Sequence, residues 1–237
     1  MDDKKIVAII PARGGSKGLP GKNIKLFLGM PLIAYAIETL KSTNFEIDII
    51  ISTDSKEIAK VGLLYGITSI MRPPELATDS SLVIDAIKYT IGSLQKQNKY
   101  YDVLLLIEPT NPLRDAEDIH LVLEYLNNNN SADCVATFSK LEHPVTRLWS
   151  IKNGKPETLI PGSDPFKRRQ DQEYGYYING LAYAFNISKL EENNYLSLFN
   201  GEIGAVITEK KVIDIDDKYD FFMAEQMMNY IQDSRKL

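Results

Sequence analysis

The run Ile6-Val7-Ala8-Ile9-Ile10-Pro11 carries no polar side chain, and it breaks directly into Ala12-Arg13-Gly14-Gly15-Ser16-Lys17-Gly18-Leu19-Pro20-Gly21-Lys22-Asn23. A half-exposed strand alternates apolar and polar positions; an unbroken apolar run reads as a strand covered on both faces. The chain repeats the pattern. Further apolar runs at 47–52, 68–71, 103–107 and 134–138 are separated by stretches at 31–40, 56–65, 82–94 and 118–126 with apolar residues at helical spacing. Ser55 or Asp54 suits the N-cap of the second helix, and Asp115 that of the fourth. Strands and helices in alternation predict an α/β fold: a Rossmann-like, three-layer αβα arrangement around a mainly parallel sheet.

In such sheets ligands bind outside the carboxyl ends of the strands. The polar clusters here all follow strands: 13–23, Ser52-Thr53-Asp54, Glu108-Pro109-Thr110-Asn111-Pro112, and 214–217. Between about 139 and 180 the pattern changes, with Pro144, Pro156, Pro161 and Pro165, Gly154 and Gly162, then Lys167-Arg168-Arg169-Gln170 and Tyr174-Gly175-Tyr176-Tyr177. Trp149, Phe166 and the tyrosines argue against a flexible linker. We read this stretch as an insertion with hairpin character within a single 237-residue domain, returning to the sheet through 178–185, and suited to a dimer arm or a substrate lid.

The glycines of the opening loop let the backbone come close to a ligand and aim amides at it, while Arg13, Lys17 and Lys22 supply countercharge. The net charge is −5, so these cations are a local patch on an acidic body. That contrast selects a small polyanion such as a nucleoside triphosphate over nucleic acid. The spacing fails two common phosphate loops: Ser16 stands where a Walker A loop needs its first glycine, Asn23 replaces its Ser/Thr, and Ser16 also breaks the dinucleotide pattern. Cys134 is the single cysteine and His120 and His143 the only histidines, which excludes a Cys/His zinc site and predicts a buried, inert thiol. No 18-residue apolar run exists and the N-terminus passes straight into a strand, so the expectation is a cytoplasmic protein with no membrane partner.

The second acidic cluster has its own logic. In an extended segment Asp214 and Asp216 point the same way, with Cα atoms roughly 6–7 Å apart. Two such carboxylates can share one hard cation and leave positions for water and phosphate oxygens. Asp217 faces the other way and is expected to cap a helix starting near Tyr219. The basic pair Arg168-Arg169 reads either as a solvated face or as an anion contact.

The stretch 10–23 resembles the signature of acylneuraminate cytidylyltransferases, the CMP-sialic acid synthetases and their bacterial relatives. The likeness extends in order through Ser52-Thr53-Asp54, Arg72-Pro73-Pro74-Glu75-Leu76-Ala77-Thr78-Asp79, Pro109-Thr110-Asn111-Pro112-Leu113-Arg114, Arg169-Gln170, Asn179-Gly180 and Asp214-Ile215-Asp216. The related Kdo (2-keto-3-deoxy-manno-octonic acid) enzymes resemble the first strand but have Gly-Lys-Pro where this chain has Gly21-Lys22-Asn23.

The resemblance implies transfer of CMP from CTP to the anomeric hydroxyl of a nonulosonic acid, release of pyrophosphate, and a homodimer paired through the inserted arm. It implies that Ala12, Arg13, Gly14, Lys17 and Lys22 surround the CTP phosphates, with Arg13 and Lys22 stabilising the departing pyrophosphate. Asn23 and Arg72 would contact the nucleoside, Asp79 and Ser80 would wall the base, and Asp214 and Asp216 would hold Mg²⁺. Arg169, Asn179 and Tyr183 fall in the part that meets the sugar, although a tyrosine in a strand is also an ordinary core residue. The acidic pair and the loop cations stand against a catalytically silent nucleotide-binding regulator on the same fold.

Two positions depart from the family's pattern: Glu108 stands where glutamine is common, and Tyr177 where arginine is common. A like-charge contact at about 4 Å, at an effective dielectric of about 20, costs on the order of 4 kcal/mol. Glu108 is therefore not expected to face the sugar carboxylate; it accepts hydrogen bonds from hydroxyl or N-acyl N–H groups, or it stays protonated. Arg169 or Arg114 would then take the carboxylate. Both departures leave room for legionaminic acid or another relative of N-acetylneuraminate.

Overall fold

Residues 4–234 are described by a computed structural model, the side chain of Arg169 excepted. The elements run β1 (Ile6–Pro11), β2 (Leu26–Phe27), β3 (Met30–Pro31), α1 (Leu32–Lys41), β4 (Ile47–Thr53), α2 (Lys56–Leu64), β5 (Thr68–Met71) and α3 (Val83–Gln95). They continue with β6 (Val103–Leu106), α4 (Ala116–Asn128), β7 (Cys134–Lys140), β8 (Trp149–Lys152), β9 (Lys155–Thr158), β10 (Tyr176–Asn186), α5 (Ile187–Glu192), β11 (Ile203–Thr208) and α6 (Lys218–Ser234). Seven strands form one sheet in the order β11-β7-β10-β6-β1-β4-β5. All neighbours are parallel except β10, which runs against both β6 and β7.

The apolar run of β1 explains the layers. Ile6, Ala8 and Ile10 face one side and pack with Ile33, Ile37 and Leu40 of α1 and with Ile119, Val122 and Leu123 of α4. Val7 and Ile9 face the other side and meet Ile87, Ile91 and Leu94 of α3 and Leu190 of α5. Period-two alternation thus sends one strand's side chains into two cores, as the three-layer reading requires.

The caps are as the side chains predict. Ser55 Oγ accepts from Ile58 N at the start of α2. Asp115 and Asp118 form a reciprocal capping box at the start of α4. Asp217 Oδ1 accepts from Tyr219 N and Asp220 N at 2.7 and 3.0 Å, and Asp220 Oδ2 accepts in return from Asp217 N at 3.1 Å.

The 139–180 insertion does contain a hairpin. β8 and β9 pair antiparallel and separate from the main sheet, turned by Asn153 and Gly154, both at positive φ (51° and 76°). The short β2–β3 pair, β11 and α5 lie outside the sequence expectation. β11 is an edge strand in which Gly204 and Ala205 interrupt the apolar run, and a Cβ at 204 would meet the Tyr125 ring at 2.3 Å. The glycine is there so that α4 can press a tyrosine against the strand. α5 is a six-residue helix too short to show a period. Cys134 is buried, and burial pushes its thiol up to about 11, which leaves it unreactive. Among the described residues no helix is long and apolar enough to cross a membrane.

A third apolar cluster lies off the sheet and matters most for function. Leu19 of the glycine-rich loop, Phe27, Leu32, Ile215, Phe221 and Ala224 pack together, with the Phe221 ring edge-on to Phe27 at 5.4 Å. This cluster pins the start of α6, and the acidic segment before it, against the loop that follows β1.

Candidate active site

The loop after β1 is held at both ends by backbone. Ala12 N donates to Ser52 O at 2.9 Å, and Gly14 N donates to Asp54 Oδ1 at 2.9 Å. Asp54 therefore orders the loop rather than capping α2. Gly21 adopts φ 68°, a left-handed turn that suits glycine, and delivers Lys22 and Asn23 into buried positions. Lys22 Nζ donates to Ile215 O at 2.5 Å and lies 3.1 Å from Asp216 Oδ1. Asn23 Nδ2 donates to Arg13 O at 3.0 Å, while its Oδ1 is buried without a partner among the described residues. Gly18 passes so close to the acidic segment that a Cβ there would stand 2.3 Å from Asp216 O.

A cavity of about 520 Å³ opens at the carboxyl ends of β1 and β6, lined among others by Arg13, Lys17, Lys22, Arg72, Glu108 and Asp216. A larger opening of about 780 Å³, among Lys4, Asp48 and Tyr101, lies at the other end of the sheet, where these strands begin. The chemistry-bearing residues belong to the smaller one. Arg72 is 7% exposed, its Nε has no partner among the described residues, and burial, with Arg13 adding repulsion, lowers its pKa. A buried guanidinium with an unused donor on a cavity wall is ready for a ligand acceptor.

Asp79 lines the cavity, as a wall residue would, and also reaches the loop cations. Its Oδ1 lies 2.8 Å from Arg13 Nη1 and its Oδ2 2.6 Å from Lys17 Nζ. Those two contacts hold its carboxyl below the usual carboxylate range. It takes the place an anionic ligand would occupy on the loop cations. Ser80 is set by its neighbour, its Oγ lying 3.1 Å from Thr78 Oγ1. Asp79→Asn is expected to tighten CTP binding about threefold, the modest gain of removing an exposed competing ion pair. Weaker binding, measured by calorimetry, would confine Asp79 to the base wall.

The opposite wall is acidic. Glu108 follows β6, and Tyr183 Oη of β10 donates to its Oε2 at 3.3 Å. Burial first, then the negative charge of Asp214, raises the Glu108 pKa; Arg114 and the Tyr183 hydrogen bond oppose that, and Asp216 adds to it. Burial also raises the Tyr183 phenol, with Glu108 contributing. Ile215 N donates to Thr110 O at 2.9 Å, so the segment bearing Asp214 and Asp216 is stitched to the loop bearing Glu108.

Three expected sugar contacts are corrected. Arg114 does not face the cavity: it is 5% exposed, and its guanidinium donates to Glu108 O at 2.8 Å, Gly180 O at 3.1 Å and Leu181 O. Burial pushes its pKa down to about 10, yet nearby Glu108 and Asp118 keep it cationic at neutral pH. Asn179 is buried and spends its amide internally, accepting from Thr137 Oγ1 at 2.6 Å and Leu181 N at 3.1 Å and donating to Ser139 Oγ at 2.9 Å. Tyr177 is exposed, on β10 opposite Ser139, and does not line the cavity. The side chain of Arg169 lies outside the described residues.

Arg114 thus clamps the irregular stretch of β10 to the end of β6 from below. Arg114→Met is expected to cost roughly 3 kcal/mol of stability, because it strands buried carbonyls. A urea midpoint equal to the wild type's would refute that role. The sequence reading gave Gly18, Asp54 and Gly180 no individual role in the site, although each fell within a stretch that it singled out.

The profile of the family described as Cytidylyltransferase matches residues 7–186. The CMP-N,N'-diacetyllegionaminic acid synthase of Legionella pneumophila is 31% identical over 97% of this chain and 99% of that protein. The pseudaminic acid cytidylyltransferase of Campylobacter jejuni is 33% identical over 93% of this chain and 95% of that protein. The N-acylneuraminate cytidylyltransferase of Streptococcus agalactiae is 32% identical over 92% of this chain, which spans only 52% of that longer protein. In fold the chain is similar to a CMP:2-keto-3-deoxy-manno-octonic acid synthetase solved with CTP, at a TM-score of 0.71 and 15% identity over 95% of this chain and 99% of that one. Matched by that profile from within β1 to the end of β10, and by relatives nearly end to end, the chain belongs to the cytidylyltransferase family.

Proposed function

We propose that this protein transfers CMP from CTP to the anomeric hydroxyl of a nonulosonic acid and releases pyrophosphate. One juxtaposition carries the reading: a loop of cations and an acidic segment, 193 residues apart in sequence, meet through Lys22 and Ile215 on the wall of a single cavity. Relatives of both the legionaminic and the pseudaminic kind share most of the chain's length.

In this reading Arg13 and Lys17 exchange Asp79 for the phosphates of CTP, and Arg72 offers its unused Nε to the nucleoside. A bond forms from the sugar oxygen to the α-phosphorus as the bridging bond to the β-phosphate breaks; pyrophosphate leaves with the electron pair, and the hydroxyl proton passes to water. The protein's part is to position both partners and neutralise developing charge. Arg13 and Lys22 face the departing group.

Asp214 and Asp216 would hold Mg²⁺. Asp216 lines the cavity, and Asp214 lies near enough for its charge to raise the Glu108 pKa, with Ile215 buried between them. Among the described residues no group of three or more His, Cys, Asp or Glu could hold a metal. A pair of carboxylates with room for water and phosphate oxygens suits Mg²⁺, which prefers to be shared with a nucleotide. When bound, the ion supplies positive charge at the α-phosphate.

The inserted arm supports a homodimer. Trp149, Ile151, Leu159 and Phe166 are 46%, 67%, 57% and 91% exposed on it, more apolar surface than a solvated hairpin needs. The function is tested by pyrophosphate release from CTP and from the other nucleoside triphosphates. The acceptors are N-acetylneuraminic, legionaminic, pseudaminic and 2-keto-3-deoxy-manno-octonic acids. Release that requires CTP and one of the first three supports the reading. Release with the octonic acid alone, or with no acid, overturns it.

A further inference from the structure

The acidic segment reaches the cavity without a helix or strand of its own. Residues 209–217 run irregularly from the end of β11 to the start of α6, so cross-links rather than a ladder fix Asp214 and Asp216. Two of these go to one neighbour, the 107–115 loop between β6 and α4. Near the cavity Ile215 N donates to Thr110 O at 2.9 Å. At the other end of the loop Lys210 Nζ donates to Asp115 Oδ1 at 2.6 Å and to Asp118 Oδ1 at 2.9 Å. Asp214 lies between these two rungs, and Asp216 one residue past the second.

The Lys210 rung is the stronger of the lysine contacts on this segment. The Asp118 side chain is 2% exposed, and its Oδ2 is already held by Asp115 N at 3.0 Å. A buried carboxylate loses heavily when a cation leaves it. Burial opposes the Lys210 ammonium, but its hydrogen bonds to Asp115 and Asp118 outweigh that and raise its pKa, so the cation persists at neutral pH. Lys211, next in the chain, pairs with Glu142 where the two side chains are 77% and 76% exposed, a contact worth little in water. The charge of Asp118 also reaches Arg114, which holds the Glu108 carbonyl at 2.8 Å. Lys210 thus grips the loop where the loop itself is braced.

We propose that Lys210 is a positioning residue for CMP transfer: through Asp115 and Asp118 it fixes the segment that carries Asp214 and Asp216 against the loop after β6. This rests on the CMP-transfer reading and on Mg²⁺ at the acidic pair. Lys210 touches neither substrate nor metal in this account; it acts through the backbone between residues 210 and 215.

Lys210→Met keeps the stem and removes the ammonium. In metal-free protein the Ile215 amide is expected to exchange its hydrogen about tenfold faster, a larger change than at the amides of β1, which report global opening. By calorimetry, the Kd of Mg²⁺ for enzyme holding CTP without an acceptor is expected to rise about tenfold. The Mg²⁺ half-saturation of transfer should follow it, while kcat at saturating Mg²⁺ falls less. Lys210→Arg keeps the cation and is expected to recover most of both losses. Asp115→Asn keeps an N-cap acceptor for Glu117 N and Asp118 N but gives up one charge of the rung. It should show the same changes more weakly, and add less than its own effect when combined with Lys210→Met. These results support the assignment. Equal acceleration at Ile215 and β1 with Mg²⁺ affinity intact would make Lys210 merely structural and overturn it, as would unchanged Ile215 exchange. A wild type that binds Mg²⁺ and CTP yet releases no pyrophosphate with any of the acids fails the CMP-transfer reading alone, because exchange and calorimetry still decide whether Lys210 sets the segment.

Discussion

Gly18→Ala is expected to lower CMP transfer at least a hundredfold. The glycine is required by proximity: an added Cβ would stand 2.3 Å from Asp216 O, 3.3 Å from the Asp216 carbonyl carbon and 3.7 Å from Asp217 Cα. Either the loop or the acidic segment must retreat by about an ångström, and displacements of that size cost on the order of 100-fold when groups act by position. Neither retreats freely. Leu19, next in the chain, shares a buried cluster with Ile215, and Lys22 Nζ ties the loop to Ile215 O. Part of the overlap is therefore paid in stability, roughly 1–3 kcal/mol by analogy with other overpacked sites. Gly15→Ala is the matched comparison, because nothing among the described residues lies within 4 Å of a Cβ there and its melting temperature should not move. Wild-type turnover and melting temperature in the Gly18→Ala protein would show that the loop and the acidic segment need no fixed spacing.

Asp216→Asn is expected to lose activity by about a thousandfold or more with the fold intact, the scale on which charged transition-state stabilisers act. Its side chain is 81% exposed, so the fold does not depend on its burial. The asparagine keeps an acceptor for Lys22 Nζ, and the backbone N–H of residue 216 keeps its bond to Asp220 Oδ2 at 3.0 Å. Asp216→Ala takes away the acceptor as well and leaves the buried Lys22 ammonium with only a carbonyl. Divalent metal binding in the presence of CTP, followed by calorimetry, should weaken in both variants. Full activity together with unchanged metal affinity in Asp216→Asn would refute the metal assignment.

The two predictions concern the same contact from opposite sides, and their legibility differs. Asp216 could be read in sequence because carboxylates two apart in an extended segment already describe a shared ligand site. Gly18 looked like one glycine among several, since its neighbour is an atom nearly 200 residues away. Arg114 shows the same limit in reverse. A cation after Pro-Leu, at the end of a strand, looks like an anion contact. Only the fold reveals that the bulge in β10 leaves the carbonyls of Gly180 and Leu181 facing it. Asn179 was misplaced for the same reason: its partners Thr137 and Ser139 are on the neighbouring strand in space but 42 and 40 residues away in sequence.

Local physics determined a good deal without coordinates. Unbroken apolar runs specified a mainly parallel sheet buried on both faces, and Ser55, Asp115 and Asp217 specified where helices begin. Glycines among cations after the first strand specified an anion site. Those properties depend on residues within a few positions of one another. Tertiary structure decided which polar groups are spent on the protein itself and which remain for a ligand. It gave Arg114 and Asn179 to backbone and core, put Asp79 on the loop cations, and left Arg72 Nε open. That division depends on contacts closed by long loops, and no local pattern in the chain records them.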